Sequence, residues 1–254
     1  MAAGTVLDVA PDAAVDVAAA AGFPAVGLWF DGSSWTSSTT KRVAERLRST
    51  GVTPLDIEPV ILGRGPDLGD RMIDVAAELG VRFLLLASGA ATRGEVVDRL
   101  GELSRTASSL APDLVVVLEF LPIFSIGSLE AAVDVVNEVA QPNVGVLVDT
   151  LHLARSGGHP DDLRRVAPAL LPYLQLADAV ADVDDTLAAL RDEALHGRLL
   201  PGEGVLPLLD VLGAVPNVPV SIELRSRALM SLYPDPVERA RAVLRSTRSL
   251  VGAG

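Results

Sequence analysis

The sequence predicts a single α/β domain over residues 1–254, folded as an eight-stranded parallel barrel of the (β/α)8 type. Short apolar runs rich in Val, Leu and Ile alternate with longer segments of helical periodicity, as expected of βα units around a parallel sheet. Eight such runs occur within 254 residues, a length typical of this barrel. No glycine fingerprint follows the first run, which disfavours the alternative of a doubly wound open sheet.

The eight predicted strands are separated by amphipathic segments that have suitable residues at their ends. The strands are predicted at residues 5–10, 25–30, 53–60, 82–88, 114–120, 144–149, 173–178 and 219–224. Pro11 suits a first helical turn, and Ser128 suits an N-cap. Gly22, Gly51 and Gly80 suit the position after a last turn. Residues 234–250 predict a further helix.

Composition limits the classes of partner. The net charge of −12 and the isoelectric point near 4.6 argue against binding to nucleic acid or to an anionic membrane, so small molecules or cations are expected. The absence of cysteine excludes disulfides and thiolate chemistry. No apolar run has membrane-spanning length, and a cytoplasmic protein is expected. The sequence leaves homo-oligomer formation open.

Polar residues lie at or near the ends of four consecutive predicted strands, where active sites of such barrels are found. They are Glu119, Asp149, Gln175 and Glu223. Any one of them alone is best explained as a strand end that bonds to loop amides. Together, three carboxylates and an amide at one barrel mouth would repel one another without a cation, so we predict a bound divalent metal. The oxygen-only set favours Mg²⁺ or Mn²⁺ over Zn²⁺.

Five motifs, in this order and at these intervals, resemble the xylose-isomerase-like TIM barrels: "LEF" (118–120), "DTLH" (149–152), "LQLADA" (174–179), "RLLPGEG" (198–204) and "SIEL" (221–224). That family contains sugar-phosphate isomerases and epimerases, inosose dehydratases and a class of 3-dehydroshikimate dehydratases. The resemblance spans nearly the whole chain, but it is specific only in the second half.

The resemblance implies a ligand set for one divalent metal. It carries over to Glu119, Asp149, Glu223 and the position of Gln175, where most members of the family have histidine. Glutamine at that position, in a "QLADA" context, is similar to the bacterial 3-dehydroshikimate dehydratases. The resemblance therefore implies an intact site and leaves the reaction open.

Other residues are expected to contact substrate or move protons. His152 follows Asp149 closely enough to stand beside the metal, and the resemblance implies a role in hydrogen bonding or proton transfer; its alternative is a packed residue at a helix start. Arg198 lies in a loop long enough to cover the barrel mouth. Arg155, Trp29 and Glu58 are weaker candidates for substrate contact.

These features together predict an isomerase or epimerase that acts on a sugar-like polyhydroxy keto compound. The metal would chelate the carbonyl and a neighbouring hydroxyl and stabilise the enediolate, while Glu119 and Glu223 serve as acid and base on opposite sides. Dehydration from the same intermediate is the second reading, and a non-catalytic sugar-binding barrel is the third. A zinc endonuclease of the same fold is disfavoured by three histidines and the negative charge.

Overall fold

A computed structural model describes residues 1–252 and contains a barrel of seven parallel strands whose spatial order follows the chain. The predicted domain extends to residue 254, so its last two residues lie outside the described part. The strands are β1 (Ala25–Trp29), β2 (Thr53–Ile61), β3 (Phe83–Ala87), β4 (Val115–Glu119), β5 (Val144–Asp149), β6 (Leu174–Leu176) and β7 (Val220–Ile222). The predicted α/β barrel class is confirmed.

Helices cover the outside of the barrel and connect the strands. They are α1 (Pro11–Ala21), α2 (Ser37–Thr50), α3 (Gly69–Leu79), α4 (Arg93–Leu110), α5 (Leu129–Val139), α6 (Thr150–Arg155), α7 (Pro160–Leu163), α8 (Leu187–His196), α9 (Leu208–Ala214), α10 (Arg227–Leu232) and α11 (Pro236–Gly252). Short 3-10 helices lie at Ala3–Val6 and Pro168–Leu170. No helix among residues 1–252 has the length and apolarity needed to cross a membrane.

The predicted helix ends are confirmed because the local chemistry determines them. Pro11 occupies the first turn of α1. Gly22, Gly51 and Gly80 follow α1, α2 and α3 with φ of 89°, 74° and 72°, a left-handed conformation that glycine adopts without a Cβ penalty. The Ser128 side chain accepts a hydrogen bond from the backbone N–H of Ala131 and so caps α5.

The strand predicted at residues 5–10 is wrong. Residues 3–6 form a 3-10 helix, and the ladder bonds between β7 and β1 come from earlier residues: Ala2 N–H donates to the Ile222 carbonyl at 3.0 Å, and Gly27 N–H donates to the Met1 carbonyl at 2.8 Å. The Thr5 hydroxyl then donates to the Ile222 carbonyl. Because the closing position is already taken, residues 5–10 are free to turn across the rim toward α1.

Two apolar cores stabilise the barrel. The larger fills the space between strands and helices, and the smaller lies inside the barrel around Phe83, Leu85, Val117, Leu147 and Tyr173. The Phe83 and Tyr173 rings stack with centroids 4.3 Å apart. The inner core forms a dry floor beneath the carboxyl ends of the strands, where the polar residues converge.

One buried arginine joins the N-terminal turn to α11. The Arg239 side chain, 1% exposed, donates to the carbonyls of Thr5 and Tyr233 at 3.1 Å each and pairs with Asp8. These contacts hold the segment that closes the barrel against the last helix, and they leave the guanidinium well satisfied despite its burial.

We expect Arg239→Ala to lower the free energy of unfolding by about 3 kcal/mol, because it removes the cation of a partly buried pair and leaves two carbonyls without donors. Urea unfolding would measure the loss. Arg248→Ala, an exposed arginine on the same helix, serves as the control and should change stability by less than about 0.5 kcal/mol. Equal stability of the two variants would contradict this role.

Candidate metal and active site

The alternation of side chains along the strands turns the four predicted ligands into the barrel. Asp149 on β5 is in register with Gln175 on β6, so both side chains project to the same side of the sheet. Glu119 ends β4, and Glu223 directly follows β7. All four side chains are buried, with residue exposures between 0 and 8%. The structure therefore brings the predicted set together at one end of the barrel.

The two carboxylate oxygens of Asp149 accept hydrogen bonds from different partners. Oδ1 accepts hydrogen bonds from the backbone N–H groups of Leu151 at 2.7 Å and His152 at 3.2 Å, and so caps α6. Oδ2 accepts a bond from Arg198 at 2.6 Å. One lone pair of Oδ2 remains for a further partner. The carboxylate is thus a helix cap and a site residue at once.

Arg198 lies at the centre of the cluster and is 2% exposed. Its guanidinium pairs with Asp149 at 2.6 Å and with Glu223 at 3.0 Å, and its Nε–H donates to the Ala194 carbonyl. The same group lies 3.5 Å from Nε2 of His152. The arginine predicted to contact substrate is therefore fixed in place by two predicted metal ligands.

His152 faces the carboxylates from the first turns of α6. Its Nε2 lies 3.9 Å from Oε1 of Glu119, and ligand atoms of Glu119, Asp149 and His152 all fall within 4.8 Å of one another. Burial is the main reason that the pKa of His152 falls to about 4; Arg198 lowers it too, and Asp149 opposes the shift. The imidazole is consequently neutral near pH 7, where it can form hydrogen bonds without carrying a charge.

Crowding of negative charge sets the protonation of the carboxyl groups. Burial, followed by repulsion from Glu223 and Asp149, raises the pKa of Glu119 well above its usual value. Burial also raises the pKa of Glu223, although Arg198 opposes the shift. Asp149 is different: burial raises its pKa, but Arg198, His152 and its hydrogen bonds outweigh that effect and lower it overall. One guanidinium does not compensate all three acids.

The residues fit a divalent cation. Gln175 is fully buried, its Nε2 lies 3.4 Å from Oε2 of Glu58, and its Oε1 has no hydrogen-bond partner within residues 1–252. A buried amide oxygen without a partner costs free energy, and coordination of a cation would satisfy it. Carboxylate and amide oxygens are donors that hard cations accept. This arrangement, with the Glu119, Asp149 and His152 cluster, supports a divalent metal.

A cavity of about 140 Å³ opens above the cluster and is lined by Glu119, His152, Arg198 and Glu223. Trp29 and Glu58, both predicted to contact substrate, also line it. A larger hollow of about 600 Å³ lies outside the barrel, beside α5 and the segment before β6. We place the site in the smaller cavity because the buried glutamates and the neutral imidazole line it, and one of those glutamates, Glu58, contacts the Gln175 amide.

Arg155 does not line this cavity. Its guanidinium forms two bonds to the Glu193 carboxylate, at 2.6 and 2.7 Å, and a third to the Val180 carbonyl at 2.8 Å. The residue joins α6 to α8 and to the loop after β6. Its sequence position near "DTLH" does not reveal that the side chain points away from the predicted ligands.

The comparisons with known proteins agree with this geometry. The family described as xylose isomerase-like TIM barrel matches residues 15–250. The chain belongs to the xylose isomerase-like TIM barrel family. A 3-dehydroshikimate dehydratase of Pseudomonas aeruginosa is 28% identical over 167 residues, which are 61% of this chain and 24% of that protein. The chain thus spans about a quarter of that relative's length.

Two solved structures show the same fold at low sequence identity. The IOLI protein with a binding zinc atom gives a TM-score of 0.84 at 18% identity, covering 100% of this chain and 97% of that one. The D-psicose 3-epimerase of Clostridium cellulolyticum H10, with D-tagatose, gives 0.70 at 16% identity, covering 94% and 93%. This chain therefore resembles a protein named as a dehydratase in sequence and a protein named as an epimerase in fold.

The sequence does not single out Asp178, whose carboxylate holds the loop that follows Arg198. The Asp178 carboxylate accepts hydrogen bonds from the backbone N–H groups of Gly202, Gly204 and Leu206, at 2.9 to 3.0 Å, and from that of Ala179. A Cβ on Gly204 would lie 2.4 Å from Oδ1 of Asp178, so only glycine permits this approach. The available signal was an aspartate two residues after a barrel strand.

We expect Asp178→Ala to loosen the loop at residues 199–206, because three backbone N–H groups of that loop lose their acceptor. Hydrogen–deuterium exchange followed by mass spectrometry should show faster exchange there, and the free energy of unfolding should fall by about 2 kcal/mol or more. Glu203→Gln changes an exposed side chain of the same loop and is the control. Unchanged exchange in the alanine variant would refute the anchoring role.

Proposed function

We propose that this protein is a divalent-metal-dependent isomerase or epimerase of a polyhydroxy keto compound. One observation carries the proposal: two buried glutamates, Glu119 on β4 and Glu223 after β7, flank the Asp149 and Gln175 pair on β5 and β6. A carbon held between them can lose a proton to one carboxylate and receive a proton from the other. Proton loss on one side and return on the other is the chemistry of isomerisation and epimerisation.

The chain's own residues supply the proton transfers. A carboxylate removes the proton from the carbon next to the carbonyl, and the electron pair of the broken C–H bond moves onto the carbonyl oxygen. The second glutamate, whose pKa is raised mainly by burial, holds a proton that it can return. A divalent cation held by Glu119, Asp149, Gln175 and Glu223 would supply Lewis-acid polarisation of the carbonyl. Neutral His152 hydrogen-bonds to a substrate hydroxyl, and Arg198 keeps Asp149 ionised and opposes the rise in the pKa of Glu223.

We assign Glu119, Asp149, Gln175 and Glu223 as the ligands and Mg²⁺ or Mn²⁺ as the cation, because all four donors are oxygen atoms. His152, which lies within 4.8 Å of two of them, is assigned to the substrate side because it lines the cavity. Trp29 and Glu58 line the same cavity and are assigned to substrate contact.

Dehydration is the second candidate. It is favoured by Gln175 in the ligand set and by the relative in Pseudomonas aeruginosa that is named as a 3-dehydroshikimate dehydratase. After the same proton removal, a hydroxyl on the next carbon would leave with a proton from a glutamate, as water. The two reactions therefore share their first step and differ in which bond breaks next.

We expect one Mn²⁺ to bind per chain in calorimetric titration of protein stripped with a chelator. Glu119→Gln and Asp149→Asn should weaken binding by about tenfold or more, because each removes a charged oxygen donor. Glu45→Gln, an exposed glutamate on α2, is the control. Full affinity in both site variants, or no binding by the wild type, would overturn the ligand set.

The reaction is tested by incubating Mn²⁺-loaded protein in D₂O with ketoses, inososes and 3-dehydroshikimate, followed by mass spectrometry. A product one deuteron heavier supports isomerisation or epimerisation, whereas loss of water supports dehydration. His152→Ala should retain metal and fold but lose about tenfold to a hundredfold in rate, because the substrate hydroxyl loses its hydrogen-bond partner. If no compound exchanges a proton while metal is bound, the non-catalytic reading replaces both reactions.

A further inference from the structure

Three arginines stand around the outer part of the cavity, and none was singled out by sequence reasoning. Arg64 lies in the loop after β2, Arg191 on α8 and Arg225 just after Glu223, and all three line the cavity. Arg64 and Arg191 are exposed, and Arg225 is half-buried. Arg64 and Arg191 also line an adjoining hollow of about 500 Å³. We call these three residues the arginine rim.

The rim guanidinium groups have no acceptor of their own. Within residues 1–252, none of the three forms an ion pair or a side-chain hydrogen bond. Arg198, in contrast, is occupied by Asp149 and Glu223. Three unpaired cations converging on one opening are unusual in a chain of net charge −12, where carboxylates are abundant.

Aromatic rings orient two of these groups. The guanidinium of Arg64 lies over the Phe124 ring at 4.9 Å from the centroid, and that of Arg225 lies over the Trp29 ring at 5.6 Å. Both rings belong to the cavity lining. A guanidinium held by its face on a ring keeps its N–H edge free, and that edge matches the geometry of carboxylate and phosphate oxygens.

Charge therefore changes sign along the cavity. The carboxylates of Glu58, Glu119 and Glu223 are at most 8% exposed and lie deep, whereas the rim cations lie toward solvent. A neutral sugar would complement the deep end and leave the rim unpaired. A molecule whose keto and hydroxyl groups reach the deep end and whose anionic group lies at the rim would complement both.

We propose that the substrate carries an anionic oxyacid group, a carboxylate or a phosphate, and that Arg64 and Arg191, assisted by Arg225, bind it. This inference rests on the proposed function for the orientation of the keto group, but the anion subsite itself rests on the rim. It narrows the substrate class from polyhydroxy keto compounds in general to their acids and phosphate esters.

The test compares three probes of equal carbon number on Mn²⁺-loaded protein: D-fructose, D-fructose 6-phosphate and 5-keto-D-gluconate. Calorimetric or ligand-observed NMR titration should show that at least one anionic probe binds about tenfold or more tightly than the neutral ketose. The ranking of phosphate against carboxylate identifies the anion. Arg64→Gln with Arg191→Gln should remove that advantage and leave fructose binding unchanged, while Arg248→Gln, an exposed control on α11, should have no effect.

Equal binding of the neutral and anionic probes, or an advantage that survives in the double variant, would overturn the subsite. Deuterium exchange measured on the same samples separates this outcome from failure of the proposed reaction. Arginine-dependent binding of an anionic probe without deuterium exchange would support the subsite and contradict the proposed reaction. Deuterium exchange on fructose alone, unaffected by the double variant, would support the proposed reaction and contradict the subsite.

Discussion

The constraint on which the site depends is the strict alternation of side chains along the strands of a closed barrel. Each strand directs every second residue inward, so a sequence can place an apolar residue low and a polar residue two positions later at the mouth. Val117 and Glu119 on β4, and Leu147 and Asp149 on β5, follow this rule. The same backbone thus supplies a dry floor and a polar end.

Because that floor is apolar, charge at the mouth is poorly screened and has large effects. Two carboxyl groups gain protons easily, one carboxylate stays ionised beside Arg198, and a histidine becomes neutral. The burial is nearly equal for all of them, so the differences arise from neighbours. Arg198 is the main neighbour, since it contacts Asp149 and Glu223 and is held by the Ala194 carbonyl of α8.

The sequence predicts strands and helix ends correctly where hydrophobic periodicity or a helix-capping residue determines them. Seven strands and the ends of the first three helices follow from such patterns, whereas the role of the polar residues at the strand ends as ligands stays a prediction. The apolar run at residues 5–10 does not form the predicted strand, because residues 1–2 already make the ladder bonds to β7 and β1. Arg155 and the arginine rim lie on loops and helix surfaces, where no period tells which way a long side chain points.

The closure of the barrel brings together parts of the chain that are synthesised far apart in time. Residues 1–5 bond to β7 and to Arg239, more than two hundred positions later. Contacts of such long sequence separation form slowly, because much chain entropy is lost before they stabilise anything. The bonds that close the barrel cannot form before β7 and α11 have been synthesised, so the edge between β7 and β1 is the last part of the barrel that the growing chain can seal.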